Sequence, residues 1–230
     1  MALQIIYDKI LDFPVFQGLG KMDLADMVEK TKFYFHKCER GKVIVMSGEE
    51  CNNLHFLLQG KVTSVRSSDD YGYVLSEDLS APLIFQSEML FGHSQYFTRD
   101  YIAATDVSLM TLDKTEVLRF LERYPIVRIN IINQFATNVQ KLSSLAWKHQ
   151  SADVEQRIID FIVLHCLRPS GRKEMRIKMN QLAHELNDSR LNVSVALNRL
   201  QEQNLLKLYR GRIVIPAMER LINRFTLKNE

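Results

Sequence analysis

Between residues 41 and 112 the apolar residues come in short runs broken by turn formers. These predict strands over Lys42–Met46, Leu54–Leu58, Lys61–Arg66, Tyr71–Ser76, Pro82–Phe85, Tyr101–Thr105 and Val107–Leu112. Strands this short and this closely spaced, with no helical run between them, imply an antiparallel barrel or sandwich. Gly48 and Gly60 fall between runs, where the chain needs a tight bend or a positive φ.

The period then changes from two to about 3.6. Asp113-Lys-Thr-Glu116 has the form of a capping box, Asp113 at the N-cap and Glu116 at N3, ahead of Val117, Leu118, Phe120 and Leu121. Pro125 breaks that helix, and a second one follows from Ile126 to about Trp147. Along it Ile129, Ile132, Phe135/Ala136, Val139, Leu142 and Leu145/Ala146 form a stripe at three- and four-residue spacing. Such a stripe is buried either on the helix's own domain or against the same helix of a second chain, and periodicity treats the two equally. The polar run Lys148–Asp153 reads as a hinge.

Beyond it the pattern gives an amphipathic helix Val154–Leu167 stopped by Arg168-Pro169-Ser170-Gly171, a short alternating run Met175–Met179, a short helix Gln181–Leu186 and a longer one, Arg190–Gln203. A hairpin-like pair, Leu206–Tyr209 and Arg212–Ile215, turns at Arg210-Gly211 and ends at Pro216. This is the outline of a winged helix-turn-helix. Val193, Leu197 and Leu200 share the face of Arg190–Gln203 that anchors it. Leu191, Val195 and Asn198 share the opposite one, with Ser194 beside them, Arg190 at the exposed end and Ser189 as the cap. Single exposed apolar residues are common. Two of them one turn apart, on the face a second helix-turn-helix helix turns to the major groove, suit thymine methyl contacts; Arg190 suits guanine or phosphate, and Asn198 a base edge. Ser189, Arg190, Leu191, Asn192, Ser194, Val195 and Asn198 are therefore candidate DNA-binding residues, with Lys178, Arg210 and Arg212 as phosphate contacts.

Charge supports this division. The 230 residues carry a net charge of +3, but residues 1–150 hold 16 basic and 18 acidic side chains, and residues 151–230 hold 14 and 9. The basic excess lies in the part that would meet phosphates. At 46% hydrophobic and 25% charged the chain can bury a core. No secretory leader pattern opens it and no apolar run reaches the length of a membrane span, so a cytoplasmic protein without membrane partners is expected. Cys38, Cys51 and Cys166 are an odd, scattered set, which predicts free thiols rather than a disulfide or metal framework. Catalytic motifs are lacking: His184-Glu185 has Asp188 where a zinc helix needs its second His, Gly18-Leu19-Gly20 is followed by Asp23, and no phosphate loop or nucleophile elbow occurs. No catalytic or metal residues are assigned. A cupin-type metalloenzyme would need clustered ligands, which His36, His55 and His93 do not supply.

At these residues the chain resembles the cyclic-AMP receptor protein/FNR superfamily of bacterial transcription regulators. Leu182-Ala183-x-x-Leu186-Asn187-Asp188-Ser189-Arg190 is similar to the family's Leu-Ala-x-x-Leu-Gly-x-Ser-Arg turn, with Asn187 replacing glycine, and Leu200-Gln-Glu-Gln-Asn-Leu-Leu206 to the end of its recognition helix. Phe16-Gln-Gly-Leu19, Gly48-Glu49 and Leu54–Gly60 are similar to the N-terminal segment and first barrel strands. The resemblance implies an α+β chain: a cyclic-nucleotide-binding-like jelly-roll sensor over 1–125, a dimerisation helix and hinge over 126–150, and a winged helix-turn-helix over 151–230. It implies a homodimer held through Ile129, Ile132, Ala136, Val139 and Leu142, a palindromic operator with half-sites one helical turn apart, and RNA polymerase as a further candidate partner.

The departures bear on the effector. Members that bind cyclic AMP carry Phe-Gly-Glu-Leu and, eleven residues after that glycine, Arg-Ser-Ala; here stand Gln86-Ser87-Glu88-Met89 and Thr98-Arg99-Asp100. Glu88 is kept, but Thr98 occupies the arginine position, which removes a charge-assisted pair worth roughly 1.5–3 kcal/mol. In a strand Arg99 points to the other face unless a bulge intervenes. The effector pocket, drawn from Glu88, Met89, Thr98, Arg99 and Asn138, is therefore expected to take an unidentified small molecule other than cyclic AMP, or to be silent; the cysteine cluster of the iron–sulfur members is absent. The family's best-known DNA readers use Arg-Glu-x-x-x-Arg where Arg190, Leu191 and Val195 stand, so a different half-site is expected. Whether transcription is activated or repressed is left open by the residues.

Overall fold

A computed structural model describes residues 9–147 and 151–226. In chain order the elements are α1 (Lys21–Lys30), β1 (Tyr34–Cys38), β2 (Val43–Val45), β3 (Asn53–Gln59), β4 (Lys61–Ser67), β5 (Tyr73–Ser80), β6 (Leu83–Ile84), β7 (Asp100–Ala103), β8 (Val107–Asp113), α2 (Lys114–Arg123), α3 (Pro125–Ala146), α4 (Val154–His165), β9 (Lys173–Ile177), α5 (Met179–Glu185), α6 (Arg190–Glu202), β10 (Lys207–Tyr209), β11 (Arg212–Ile215) and α7 (Met218–Thr226), with 3-10 turns at Pro14–Phe16 and Ser87–Leu90. They form two compact units. One is Met1–Val62 with Ser80–Trp147; the other is Thr63–Leu79 with Lys148–Glu230. Part of the hinge reading, residues 148–150, lies outside the described residues.

The first unit holds an antiparallel sheet in the order β1-β8-β3-β6 and the pair β2–β7. The arrangement is jelly-roll-like, in line with the antiparallel barrel or sandwich expected from the sequence, with sheets that are not closed: β1 and β6 are the edges of the four-stranded one. The β1 strand has no counterpart in the sequence reading. Its residues are exposed except for half-buried Cys38, so no buried face imposes an alternation. Helices α1 and α7 are also absent from that reading.

Where the apolar runs were read correctly, packing explains them. Phe13 and Phe16 meet Phe56 of β3 at 5.2 and 5.5 Å between ring centroids, and Phe16 meets Phe120 of α2 edge-on at 5.7 Å. Gly60 has φ +94°, and a Cβ there would stand 2.5 Å from the Asp106 carbonyl oxygen, so only glycine fits this bend. Asp113 caps α2 by accepting from the Glu116 N–H at 2.9 Å, as its position in the capping box requires.

His55 on β3 is buried, its ring stacked on Phe85 with centroids 5.9 Å apart, and its Nδ1 meets no hydrogen-bonding group. Burial, assisted by the charge of His36, pushes its imidazole down to about 4. The unfolded chain takes up this proton near pH 6.5, so the folded state binds fewer protons between the two values and stability rises with pH across them. The contribution is complete above about pH 6.5 and is lost as pH falls towards 4, a total of about 3 kcal/mol. Replacing His55 with glutamine is expected to flatten the unfolding free energy of this unit over that range, as followed by urea titration. An unchanged slope would show that other groups set it.

Among the described residues, helix α3 is tied to its unit at its start. Asn130 Nδ2 donates to the carbonyls of Val15 and Gln17 at 3.2 and 2.8 Å, and the Tyr124 hydroxyl donates to Asp26 at 2.8 Å. From Ile132 onward, Phe135 apart, the described side chains of α3 are exposed. The mean hydropathy of the chain is −0.14, and no helix among the described residues is long and apolar enough to cross a membrane.

The second unit is a sheet in the order β10-β11-β9-β5-β4 covered by helices. Its core gathers Ile158, Ile159 and Ile162 of α4, Leu182 of α5, Val193, Leu197 and Leu200 of α6, Met175 of β9, Ile213 and Ile215 of β11, and Leu75 of β5. Strand β5 pairs antiparallel with β9, Tyr73 opposite Ile177 and Glu77 opposite Lys173.

Candidate nucleic-acid interface and effector site

The turn between α5 and α6 is built by three polar residues. Asn187 has φ +48°, the left-handed conformation that the family's glycine would take. Its N–H donates to the His184 carbonyl and that of Asp188 to the Ala183 carbonyl, each at 3.0 Å, which closes α5 in a Schellman motif. Asp188 Oδ1 accepts from the Ser189 N–H at 2.6 Å and from the Asn192 amide at 2.8 Å. These two bonds, with the Arg157 guanidinium beside them, hold the Asp188 carboxyl below the usual carboxylate range. Arg157 of α4 also donates to the Leu186 carbonyl at 2.9 Å. The pairing of Arg157 with Asp188 was missed by sequence reasoning, because nothing in the sequence shows that side chains 31 positions apart meet.

Ser189 caps α6, its hydroxyl accepting from the Asn192 N–H at 3.1 Å. The two faces of the helix separate as the spacing required: Val193, Ala196, Leu197 and Leu200 are buried, while Leu191 is 72% and Val195 41% exposed. Arg190, Asn192 and Asn198 are exposed and Ser194 half-buried. The Asn192 amide is thus engaged by the turn, whereas Arg190 and Asn198 present their polar groups to solvent.

Lys178 stands exposed at the N-cap of α5. Arg210 is exposed in the wing turn, beside Gly211 with φ +67°. The Arg212 guanidinium lies 4.5 Å from the centroid of Tyr209 and 3.7 Å from Glu174. Two of the wing cations are therefore differently prepared: Arg210 reaches into solvent, and Arg212 is stacked and partly neutralised.

The effector residues lie in the first unit. Gln86 is buried with φ +31°, and its amide spans to Thr98: Nε2 donates to the threonine hydroxyl at 2.7 Å, and Oε1 accepts from the Thr98 N–H at 3.2 Å. Thr98, at the position where the resemblance puts the phosphate-binding arginine, is engaged by protein. Arg99 is buried, Glu88 exposed and Met89 half-buried in the 3-10 turn. Asn138 lies on α3 in a shallow depression of about 350 Å³ shared with Pro14, Asn130, Asn133, Gln134, Thr137 and Lys141; none of the other four effector candidates lines it. No cluster of three or more metal-ligating side chains occurs among the described residues. None of Cys38, Cys51 and Cys166 is joined in a disulfide, and the Cys51 thiol donates to the Asn53 carbonyl.

Comparison with known proteins agrees with this geometry. Residues 35–124 match the cyclic nucleotide-binding domain family and residues 156–224 the Crp-like helix-turn-helix domain family. The chain is 22% identical over 225 residues to a global nitrogen regulator of Synechocystis sp., covering 92% of this chain and 94% of that one. It is 19% identical over 201 residues to a global nitrogen regulator of Nostoc sp., covering 82% and 87%. The fold is similar to that of the Thermus thermophilus catabolite activator protein, with a TM-score of 0.51 and 21% identity over 91% of this chain and 96% of that one. A sensor domain of the cyclic nucleotide-binding type followed by a Crp-like helix-turn-helix defines a DNA-binding transcription regulator. The chain belongs to the Crp/Fnr superfamily of these regulators.

Proposed function

We propose that the protein is a homodimeric, cytoplasmic regulator that binds a palindromic operator through α6, with Lys178, Arg210 and Arg212 on phosphates, and acts by binding rather than by catalysis. RNA polymerase is the partner through which such binding would reach transcription. The observation that carries this reading is the exposed apolar pair Leu191 and Val195 on a helix whose other face is fully buried and whose first turn is capped. Replacing Arg190 with alanine is expected to weaken specific DNA binding by about 1–3 kcal/mol. Replacing Leu191 with alanine should leave folding stability within about 0.5 kcal/mol and relax preference at a thymine-bearing position. Selection from random duplexes, followed by gel shifts at two salt concentrations, checks both; binding that ignores salt would count against phosphate contacts. The changes at Leu191 and Val195 favour a half-site different from that of the cyclic-AMP regulator, and recovery of that half-site would sink this part.

The closure of Gln86 onto Thr98 supports an effector other than cyclic AMP, and equally supports a sensor with no ligand at this place. Thermal shifts separate the two, because a ligand at a hundred times its dissociation constant stabilises by about 2.7 kcal/mol. Cyclic AMP is expected to give no shift, and a panel of other nucleotides, haem and small acids tests for the true effector.

A further inference from the structure

The turn that caps α6 also controls one of the side chains on the outer side of that helix. Asn192 is the third residue of α6, in the N-terminal stretch from which a recognition helix contacts base edges. Its backbone N–H is taken by the Ser189 hydroxyl at 3.1 Å, and its side chain is exposed. The side-chain amide has two ends, and the turn uses one of them. Nδ2 donates to Asp188 Oδ1 at 2.8 Å, while no hydrogen bond holds Oδ1 among the described residues.

A free amide turns over about its last bond, exchanging an acceptor for a donor at each end. Asp188 forbids the exchange. Its Oδ1 accepts from the Ser189 N–H at 2.6 Å as well as from Asn192, and its Oδ2 accepts from the Arg157 guanidinium, which also donates to the Leu186 carbonyl at 2.9 Å. The Arg157 and Asp188 side chains are 13% and 12% exposed, so water has little access to the pair. The donors around Asp188 keep its carboxyl ionised, and a carboxylate only accepts. A turned-over Asn192 would set its oxygen 2.8 Å from a second acceptor. The oxygen is therefore the end left for a ligand.

In the major groove a fixed acceptor sorts the bases into two classes. Adenine N6 and cytosine N4 offer an amino donor, whereas guanine O6 and thymine O4 are acceptors. We propose that Asp188 is a positioning residue for base recognition, fixing the Asn192 amide with its oxygen towards DNA so that one position of each half-site requires adenine or cytosine. The inference rests on the reading of α6 as the helix that enters the groove.

The test uses the full chain and duplexes selected by the wild-type protein from random sequence. The position in question is the one whose base preference is lost in Asn192→Ala. The readout is the ratio of affinities for two duplexes that differ there by adenine against guanine, or cytosine against thymine. Loss of folded protein weakens binding to both duplexes alike and cancels in this ratio, so a merely structural role does not move it. Wild type is expected to prefer the amino-bearing base about fivefold, the size of one hydrogen bond, and Asn192→Ala to bring the ratio to about one. Asp188→Asn, whose own amide faces Asn192 with either end, is expected to bring it below about twofold while the ratios at other positions stay as they were. Asp188→Glu keeps an anion for Arg157 but carries it one methylene further; it has the same expectation and serves if the asparagine variant does not fold. A preference for guanine or thymine at that position overturns the proposal, as do base preferences that Asn192→Ala leaves unchanged everywhere, and a full ratio retained in the Asp188 variants. Wild type that selects no duplex at all removes the DNA-facing reading itself, whereas normal selection with an unmoved ratio strikes only the role of Asp188.

Discussion

Replacing Lys173 with methionine is expected to destabilise the DNA-binding unit by roughly 3–5 kcal/mol. Both Lys173 and Glu77 are fully buried, with Nζ 3.0 Å from Glu77 Oε2 and 2.8 Å from the Ser170 carbonyl. The Glu77 carboxylate also accepts from the Leu167 N–H at 2.9 and 3.0 Å. The pair thus joins β5, β9 and the loop that follows α4. Methionine fills the volume of the lysine stem but removes the ammonium from a carboxylate that stays in the interior. The double variant Glu77→Gln with Lys173→Met removes the buried charge as well and should recover most of the loss, because a neutral amide can still accept from Leu167. Urea unfolding followed by circular dichroism measures both. A single variant within about 1 kcal/mol of wild type would mean that water reaches the pair.

Replacing Val139 with glutamate should convert a dimer into a folded monomer. Val139 is 64% exposed and Ile132 57% on the chain alone, so neither contributes much to the fold of one subunit. With Ile129, Ala136 and Leu142 they form the stripe along α3 that, among the described residues, lies open beyond the docking of its first turns. In a two-fold seam each glutamate faces apolar residues and, across the axis, the partner's own glutamate. Desolvation and repulsion together amount to several kcal/mol, which weakens dimerisation by more than about a hundredfold. Sedimentation velocity reads the mass, and binding to a duplex with two half-sites reads the loss of the second contact. A wild-type protein that sediments as a monomer at micromolar concentration, or a glutamate variant that stays dimeric, would sink the assignment of the stripe.

The features read correctly from sequence are those with a local cause. Asp113 and Ser189 were placed as caps because an acceptor side chain before a helical period meets the orphan N–H groups two or three residues on, and both do so. The division of α6 into a buried face and an exposed one follows from its period. Asn187 takes the left-handed conformation because the turn demands it whichever residue stands there. By contrast β1 pairs its full length with β8, yet shows water most of its side chains, so its pairing left no trace in the pattern.

The effector candidates show the same boundary. Glu88, Met89, Thr98 and Arg99 were named from their alignment with known motifs, but nothing local says that Gln86, buried in a left-handed conformation, turns its amide onto Thr98. Asn138 lies in a depression with other residues of α3 and Pro14, which the spacing along one helix could not reveal. Arg157 reaches Asp188 only because α4 packs on the helix-turn-helix.

By itself the sequence determined the order of elements from β2 to β11, the caps of α2 and α6, the capped turn and the two faces of α6, since each depends on residues within a few turns of one another, and its charges separate a slightly acidic segment from a basic one. Only the tertiary structure decided which strands become neighbours. That β5 pairs with β9 of the second unit, burying Glu77 against Lys173, depends on pairing across about a hundred residues of chain. Such pairing is selected by the packing and charge of the whole unit, and no local pattern encodes it.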